Sequence, residues 1–258
     1  MGKIIAVANQ KGGVGKTTTA VNLCASLVKR GKKILLIDCD PQGNATTGMG
    51  IKKNKGYSVY DVLLRDVSAK DAVIATKYGN MIISRADLAA ANVELVPLEK
   101  RERLLKNKLE ALRDEYDYIW IDCPPSLELL TLNALTAADS VFIPVQSEFY
   151  ALEGLNDLIN TIRLVKLRMN PGLEIEGLAL TMYDNRTNLS ADVETELRKH
   201  FPGKVYKTTI PRNIRLSEAP SHGKPCIAYD KSSKGSRAYL HLANEFLKRQ
   251  KGEKVEDE

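Results

Sequence analysis

The 258-residue sequence has no apolar run near the roughly eighteen residues that a membrane-spanning helix needs. It also has no hydrophobic signal region with a cleavage site before its first strand-like segment. It has few cysteines, and Cys24, Cys39, Cys123 and Cys226 are far apart, with no CxxC pair. This spacing argues against a structural zinc site or a redox motif and suits a reducing compartment, so we expect a cytoplasmic protein.

The composition excludes disorder of the whole chain and favours one large α/β domain, because 43% of the residues are hydrophobic and 27% are charged. The net charge is +6, and much of it lies between residues 204 and 237, where eight basic residues face only two acidic ones. Such a window suits a nucleic-acid surface, although a solvated basic face is the alternative. We expect one domain over residues 1–250 and a charged, disordered tail over residues 251–258.

Apolar runs that alternate with helix-length segments predict βαβ units and a mostly parallel, doubly wound sheet flanked by helices. The predicted strands cover residues 4–8, 33–37, 81–84, 118–121, 141–145 and 178–182. The predicted helices cover residues 17–30, 58–64, 100–115, 127–137, 152–169, 190–200 and 237–250.

A glycine-rich segment with two lysines follows the first predicted strand and opens the first predicted helix. It reads Lys11-Gly12-Gly13-Val14-Gly15-Lys16-Thr17-Thr18. Glycines let backbone N–H groups approach phosphate oxygens, and a helix N-terminus favours an anion, so this pattern predicts a P-loop. In that reading Lys16 reaches the β- and γ-phosphates of ATP, and the Thr17 hydroxyl binds Mg²⁺.

The first glycine of the common P-loop pattern is replaced by Gln10, and Lys11 is an additional lysine. This departure resembles the deviant Walker A motif of the ParA/MinD superfamily of P-loop ATPases. The resemblance implies that Lys11 and Gly12 lie at the interface of an ATP-bound homodimer, where Lys11 contacts the nucleotide of the partner. Such a lysine would stabilise transition-state charge as an arginine finger does. A surface lysine beside the loop is the alternative.

Two predicted strands end in carboxylates, at the edge where parallel sheets bind ligands. Asp38 and Asp40 follow the second strand, and Asp122 follows the hydrophobic run Tyr118–Ile121. The resemblance assigns Asp40 to positioning or activating the attacking water and Asp38 to the surroundings of Mg²⁺. Asp122 resembles the Walker B aspartate that holds Mg²⁺ directly or through water. A simple turn at 40–44 is the alternative for Asp40, and it is compatible with catalysis.

The resemblance also implies contacts outside the P-loop. Pro211 and Asn213, in Ile210-Pro211-Arg212-Asn213, correspond to a segment near adenine. Glu148 and the following Tyr150-Ala151-Leu152-Glu153-Gly154 resemble a segment at the dimer interface.

Within the superfamily, the sequence is similar to the short, Soj-like ParA branch along nearly its whole length. It lacks the cluster-binding cysteines of the nitrogenase iron proteins and the apolar C-terminal membrane helix of MinD. No helix-turn-helix segment precedes the P-loop, so operator-specific binding is not expected. The branch implies non-specific binding to double-stranded DNA, with Arg186 and Arg215 matching its DNA-binding arginines. Further candidates are Lys207, Lys224, Lys231, Lys234 and Arg237.

The sequence therefore predicts an ATPase that uses ATP and Mg²⁺ in chromosome or plasmid partition. The resemblance implies an ATP-bound homodimer on the nucleoid, a ParB-like (Spo0J-type) partner that stimulates hydrolysis, and no membrane partner. A ParA-like ATPase that positions a protein cargo or the division or secretion machinery is the first alternative. The second is a DNA-binding module without hydrolysis, against which Lys16, Thr17, Asp40 and Asp122 argue.

Overall fold

The computed structural model describes residues 1–148 and 151–253, with the backbone alone for residues 151–153. Its centre is a seven-stranded sheet in the order β3-β4-β2-β5-β1-β6-β7. All neighbouring strands are parallel except β3 and β4, which form an antiparallel pair at one edge. The predicted mostly parallel α/β fold is confirmed. The strands are β1 Lys3–Val7, β2 Ile34–Asp38, β3 Ile74–Thr76, β4 Gly79–Ile82, β5 Tyr118–Asp122, β6 Ser140–Gln146 and β7 Glu174–Thr181.

Helices cover both faces of this sheet. The α-helices are α1 Lys16–Lys29, α2 Asn44–Gly48, α3 Val59–Leu64, α4 Leu88–Glu94, α5 Leu104–Leu109, α6 Leu129–Ala137, α7 Ala151–Arg168, α8 Asn188–His200, α9 Ile214–Glu218, α10 Cys226–Tyr229 and α11 Lys234–Gln250. Short 3-10 helices lie at Arg101–Arg103, Glu110–Glu115 and Ala219–His222. No helix in the described ranges is long and apolar enough to cross a membrane.

The sheet has a hydrophobic core on each face because alternate residues of each strand point to opposite sides. In β1, Ile4 and Ala6 pack in one core, and Ile5 and Val7 pack in the other. The second core contains an aromatic cluster in which Trp120 lies 5.7 Å from Phe142 and 5.4 Å from Phe246 between ring centroids. Since Phe246 belongs to α11, the last helix docks on the sheet.

The prediction of one helix over residues 100–115 is wrong. That segment consists of α5 between two 3-10 helices. The Asn133 side chain of α6 donates to the Arg101 carbonyl at 2.8 Å and accepts from the Leu105 N–H at 3.1 Å. These bonds hold the start of the segment against α6. They also use a backbone carbonyl and an N–H group that would otherwise form hydrogen bonds within one continuous helix. The structure also contains β3, α2, α4, α9 and α10, which the periodicity did not predict.

The register places two predicted site residues at the same edge of the sheet. Asp38 at the end of β2 is opposite Asp122 at the end of β5. β1 pairs with β5 on the other side, with Val7 opposite Asp122, so the chain leaves β1 beside these carboxylates.

Of the predicted disordered tail, residues 251–258, the structure describes only residues 251–253, because residues 254–258 lie outside the described part of the chain.

Candidate nucleotide-binding site

The segment between β1 and α1 has the backbone of a phosphate-binding loop. Gly13 and Gly15 have φ values of +76° and +89°, which L side chains rarely adopt, and Gly15 directly precedes α1. The Thr181 hydroxyl at the end of β7 donates to the Val14 carbonyl at 2.8 Å. The Asn9 side chain donates to the Pro144 carbonyl at 2.8 Å and accepts from the Lys11 N–H at 3.0 Å. The loop is therefore held from β6 and β7 while its N–H groups remain near the α1 N-terminus.

The two lysines of the loop have different surroundings. Lys16 is buried, and its ammonium donates to the Lys11 carbonyl at 3.0 Å. Burial lowers the pKa of Lys16, and Asp122, Cys123 and Asp40 oppose that shift. The half-buried Lys11 ammonium instead forms an ion pair with Glu148. Lys16 is thus enclosed by the loop, whereas Lys11 lies at its outer side.

Asp38 and Asp122 lie side by side but differ in their hydrogen bonds. Asp38 accepts from the Thr46 hydroxyl at 2.7 Å, the Thr46 N–H at 2.8 Å and the Asp40 N–H at 3.2 Å. Burial raises the pKa of Asp38 to about 6, although the Thr46 bonds oppose that shift. Its carboxylate is therefore occupied by protein donors.

Asp122 has less support, because neither of its buried carboxylate oxygens has a hydrogen-bond partner of good geometry. Burial, and then the neighbouring Asp38, raise the pKa of Asp122, while the nearby Thr17 side chain and Lys16 oppose that shift. An orphaned carboxylate beside Thr17 fits a hard cation with oxygen ligands, such as Mg²⁺. No group of three His, Cys, Asp or Glu residues in the described ranges could hold a metal. Phosphate oxygens and water would therefore complete the coordination.

Asp40 lies in a tight turn after β2. The Gln42 N–H donates to Asp40 Oδ1 at 2.9 Å, and the Gly43 N–H donates to the Asp40 carbonyl at 2.8 Å. The Ser84 hydroxyl also donates to that carbonyl, at 2.6 Å. Asp40 thus lies near the phosphate loop in a turn that the backbone and Ser84 hold in place.

A cavity of about 270 Å³ lies between the P-loop and the residues predicted to bind adenine. Pro211 and Asn213 line it together with Gly15 and Thr18. The buried side-chain oxygen of Asn213 has no hydrogen-bond partner. That oxygen is packed against α11, where it lies 3.0 Å from a Cβ atom built on Gly235. The cavity therefore has a wall of mixed polar and apolar residues, which suits a nucleotide base.

The predicted DNA-binding residues lie outside this cavity and are exposed. Arg186 forms two side-chain hydrogen bonds to Asp184, at 2.9 and 2.7 Å. Arg215 pairs with Glu218 at 2.8 Å and with Asp230 at 3.5 Å. The Lys207 N–H donates to Glu245 at 2.9 Å. The remaining candidates, all with exposed side chains, are Lys224, Lys231, Lys234 and Arg237.

Four supporting residues were not identified from the sequence: Thr46, Ser84, Thr181 and Lys53, whose ammonium donates to the Gln42 carbonyl. Thr181 and Ser84 lie at or just after the carboxyl ends of their strands, which is a usable signal. Thr46 and Lys53 reach the site through tertiary contacts alone. Of the predicted interface segment, Tyr150 lies outside the described residues, as do the side chains of Ala151, Leu152 and Glu153.

The fold and the loop define a P-loop nucleotide-binding protein, and comparisons with known proteins agree. The AAA domain family matches residues 2–175. The chain is 60% identical over 248 residues to the sporulation initiation inhibitor protein Soj of Bacillus subtilis, covering 95% of this chain and 98% of that protein. It is 52% identical over 252 residues to the chromosome partitioning protein ParA of Myxococcus xanthus, covering 96% and 89%.

A similar solved structure is the cobyrinic acid a,c-diamide synthase of Mycobacterium smegmatis with bound ADP and magnesium. It has a TM-score of 0.85 and 38% identity, covering 97% of this chain and 96% of that chain. The same protein has also been solved with an ATP analogue and magnesium. The chain belongs to the family of the Soj and ParA chromosome-partitioning proteins. The predicted superfamily and ATPase class are therefore confirmed.

Proposed function

We propose that this chain is an ATP-dependent switch in the partition of chromosomal or plasmid DNA. The observation that carries the proposal is the phosphate loop with two lysines beside the orphaned carboxylate of Asp122. Relatives named as chromosome-partitioning proteins support the biological role. The side-chain contacts of the site support the individual steps.

The first step is the binding of ATP with Mg²⁺ between the P-loop and the strand ends. Glycine-loop N–H groups and Lys16 hold the phosphates, while the Thr17 hydroxyl and Asp122 hold the metal. When bound, Mg²⁺ neutralises charge on the β- and γ-phosphates. Asp38, already hydrogen-bonded to Thr46, orients the turn that contains Asp40. The solved relative with ADP and magnesium supports this ligand pair.

The second step is recognition of the base in the cavity lined by Pro211 and Asn213. The Asn213 oxygen is buried beside Gly235, so its side chain turns toward the cavity and then accepts a hydrogen bond from the amino group of adenine. Guanine presents a carbonyl oxygen at the corresponding position, which would oppose this acceptor. We therefore expect ATP to bind more tightly than GTP, with that preference reduced in Asn213→Ala.

The third step is hydrolysis in a homodimer. Asp40 orients the attacking water, and Lys11 of each chain stabilises charge on the nucleotide bound to its partner. Gly12 and Glu148 lie at the interface between the chains. The proposed dimer binds non-specific DNA on the nucleoid through exposed basic residues, and a ParB-type partner stimulates hydrolysis and release.

Steady-state phosphate release from ATP and Mg²⁺ tests the enzymatic core of this proposal. Lys16→Ala should abolish both nucleotide binding and phosphate release. Lys33→Ala removes an exposed lysine at the amino end of β2, far from the P-loop edge, and should match the wild type. Equal phosphate release from Lys16→Ala and the wild type would refute the assignment of the site.

A further inference from the structure

A second basic surface lies in the loop between α2 and α3. Residues 51–57 contain Lys52, Lys53 and Lys55 and no acidic residue, and all three side chains are exposed. The next acidic residue, Asp61, is buried and pairs with Arg65 at 3.2 Å and with Arg85 at 2.6 Å. The positive charge of the loop is therefore not neutralised from within its own segment.

A backbone contact between Gly50 and Gly223 places this loop against the basic segment that contains Lys224. A Cβ atom built on Gly50 would lie 2.6 Å from the Gly223 carbonyl oxygen, and one built on Gly223 would lie 2.9 Å from Gly50 Cα. Both residues have positive φ, +78° and +60°. The contact excludes any side chain between them, so the loop that carries Lys52 begins beside the segment that carries Lys224.

The basic surface also extends away from Lys224 in the other direction. Arg215 contacts Asp230, and Arg212 lies close enough to Asp184 to help lower the pKa of that carboxyl group. Asp184 in turn binds Arg186. Exposed cations therefore follow one another from residue 186, through the segment 212–224, to the loop 51–57.

Within the loop, the lysines differ in how they are engaged. The Lys53 ammonium donates to the Gln42 carbonyl in the turn after Asp40. Lys52 and Lys55 have neither a hydrogen bond nor an ion pair from their side chains to any described residue. These two ammonium groups can therefore bind phosphate without breaking a side-chain interaction of the fold.

We propose that the loop 51–57 is a second contact surface for the phosphate backbone of double-stranded DNA, continuous with the predicted surface around Lys224 and Arg215. The proposal rests on the DNA binding in the proposed function and extends its footprint. Ammonium groups on flexible stems bind phosphate as point charges and read no bases, so this contact is independent of sequence.

The double variant Lys52→Gln and Lys55→Gln tests the surface in the full chain. Binding to a fluorescent duplex is measured by anisotropy with a non-hydrolysable ATP analogue and Mg²⁺ over a salt series. The matched control is Lys29→Gln with Lys33→Gln, which removes the same charge from exposed residues at the end of α1 and just before β2, at the amino ends of the parallel strands. Size-exclusion chromatography of both variants with the analogue checks the fold and the oligomeric state.

The slope of log Kd against log salt should decrease by about one for each DNA phosphate that the variant no longer binds, up to about four for a dimer. The control should retain the wild-type slope. Equal slopes for the two variants would overturn the second surface and leave the proposed function intact. Vesicles containing anionic lipid that bind the wild type but not the Lys52/Lys55 variant, with DNA binding unchanged, would also overturn it. If the wild type itself binds no duplex, the proposed function fails instead.

Discussion

The ammonium of Lys11 is ion-paired with the carboxylate of Glu148 in the same chain. The proposed function requires Lys11 to reach the nucleotide of a second chain, so this pair has to open before the dimer forms. The pair is half-buried, and ion pairs of this kind contribute about 0.2–1 kcal/mol. Glu148 is therefore a restraint on Lys11 in the single chain as well as a predicted interface residue.

Glu148→Gln should release Lys11 in both chains of the dimer and lower the protein concentration needed for ATP-dependent dimerisation by about 2- to 30-fold. Sedimentation with ATP analogue and Mg²⁺ over a concentration series measures this shift. The variant Lys11→Gln should show no dimer at any of these concentrations. Weaker dimerisation of Glu148→Gln than of the wild type would show that the contact of Glu148 with the partner outweighs the restraint.

Gly12→Val should separate nucleotide binding from dimerisation. A Cβ atom on Gly12 meets nothing within 4 Å in the single chain, and Gly12 does not have positive φ. The valine therefore fits the single chain and crowds only a partner. We expect wild-type ATP affinity by calorimetry and no ATP-dependent dimer. Gly172→Val, at an exposed position away from the loop, is the control. A normal dimer of Gly12→Val would place the interface elsewhere.

Asp40→Ala should slow phosphate release by about 10²- to 10⁴-fold, the usual contribution of a positioned acid or base. ATP binding should persist, because the phosphates are held by the P-loop and Lys16. The expected species in size-exclusion chromatography is an ATP-bound dimer that retains DNA. Asp71→Ala removes an exposed carboxylate and should hydrolyse ATP normally. Hydrolysis by Asp40→Ala at the wild-type rate would remove Asp40 from the mechanism.

Asp122→Asn and Asp38→Asn should change the stability of the ligand-free protein in opposite directions. Asp122 buries two oxygens without donors, so loss of its charge should raise the Tm. Asp38 accepts bonds from Thr46 and Asp40, so its substitution should cost about 1–3 kcal/mol. For a domain of this size, each kcal/mol shifts Tm by about 2–4 °C.

Thermal unfolding of both aspartate variants, with and without ATP and Mg²⁺, also tests the metal assignment. The wild type should gain stability from Mg²⁺ in the presence of ATP, and Asp122→Asn should lose that gain. If Asp122→Asn keeps the full Mg²⁺-dependent shift, Asp122 does not hold the metal.

Asp184→Asn should increase DNA affinity severalfold in the presence of an ATP analogue. Arg186 is held by two hydrogen bonds to Asp184, and DNA phosphates have to compete with this carboxylate. Asp192→Asn, on the exposed face of α8, makes the same charge change and should alter affinity less. Equal effects of the two variants would indicate only a change in net charge.

The phosphate loop and the strand-end carboxylates could be predicted from the sequence because their signals are local. Glycines at 13 and 15 take the positive φ values that the loop requires, and Asp38 and Asp122 end hydrophobic strands. The interruption of residues 100–115 could not be predicted, since it depends on Asn133 of α6. The Gly50–Gly223 contact joins residues far apart in the chain, and it likewise has no local signal.

The edge strand β3 could not be predicted from the sequence either. β3 has only three residues, too few for a recognisable alternation, and it is defined by its antiparallel pairing with β4. The roles of Lys11, Asp40, Asn213 and the basic residues stay predictions, since they concern a nucleotide, a second chain and DNA.

In the proposed function, the protein binds DNA only when ATP is bound. The most direct test is anisotropy with two unrelated duplexes of equal length, with ATP and Mg²⁺ and with ADP and Mg²⁺, over a salt series. We expect tight binding only with ATP, equal for the two duplexes and strongly weakened by salt. Binding of equal strength with ATP and ADP, or no binding in either state while ATP is still hydrolysed, would contradict the proposed switch.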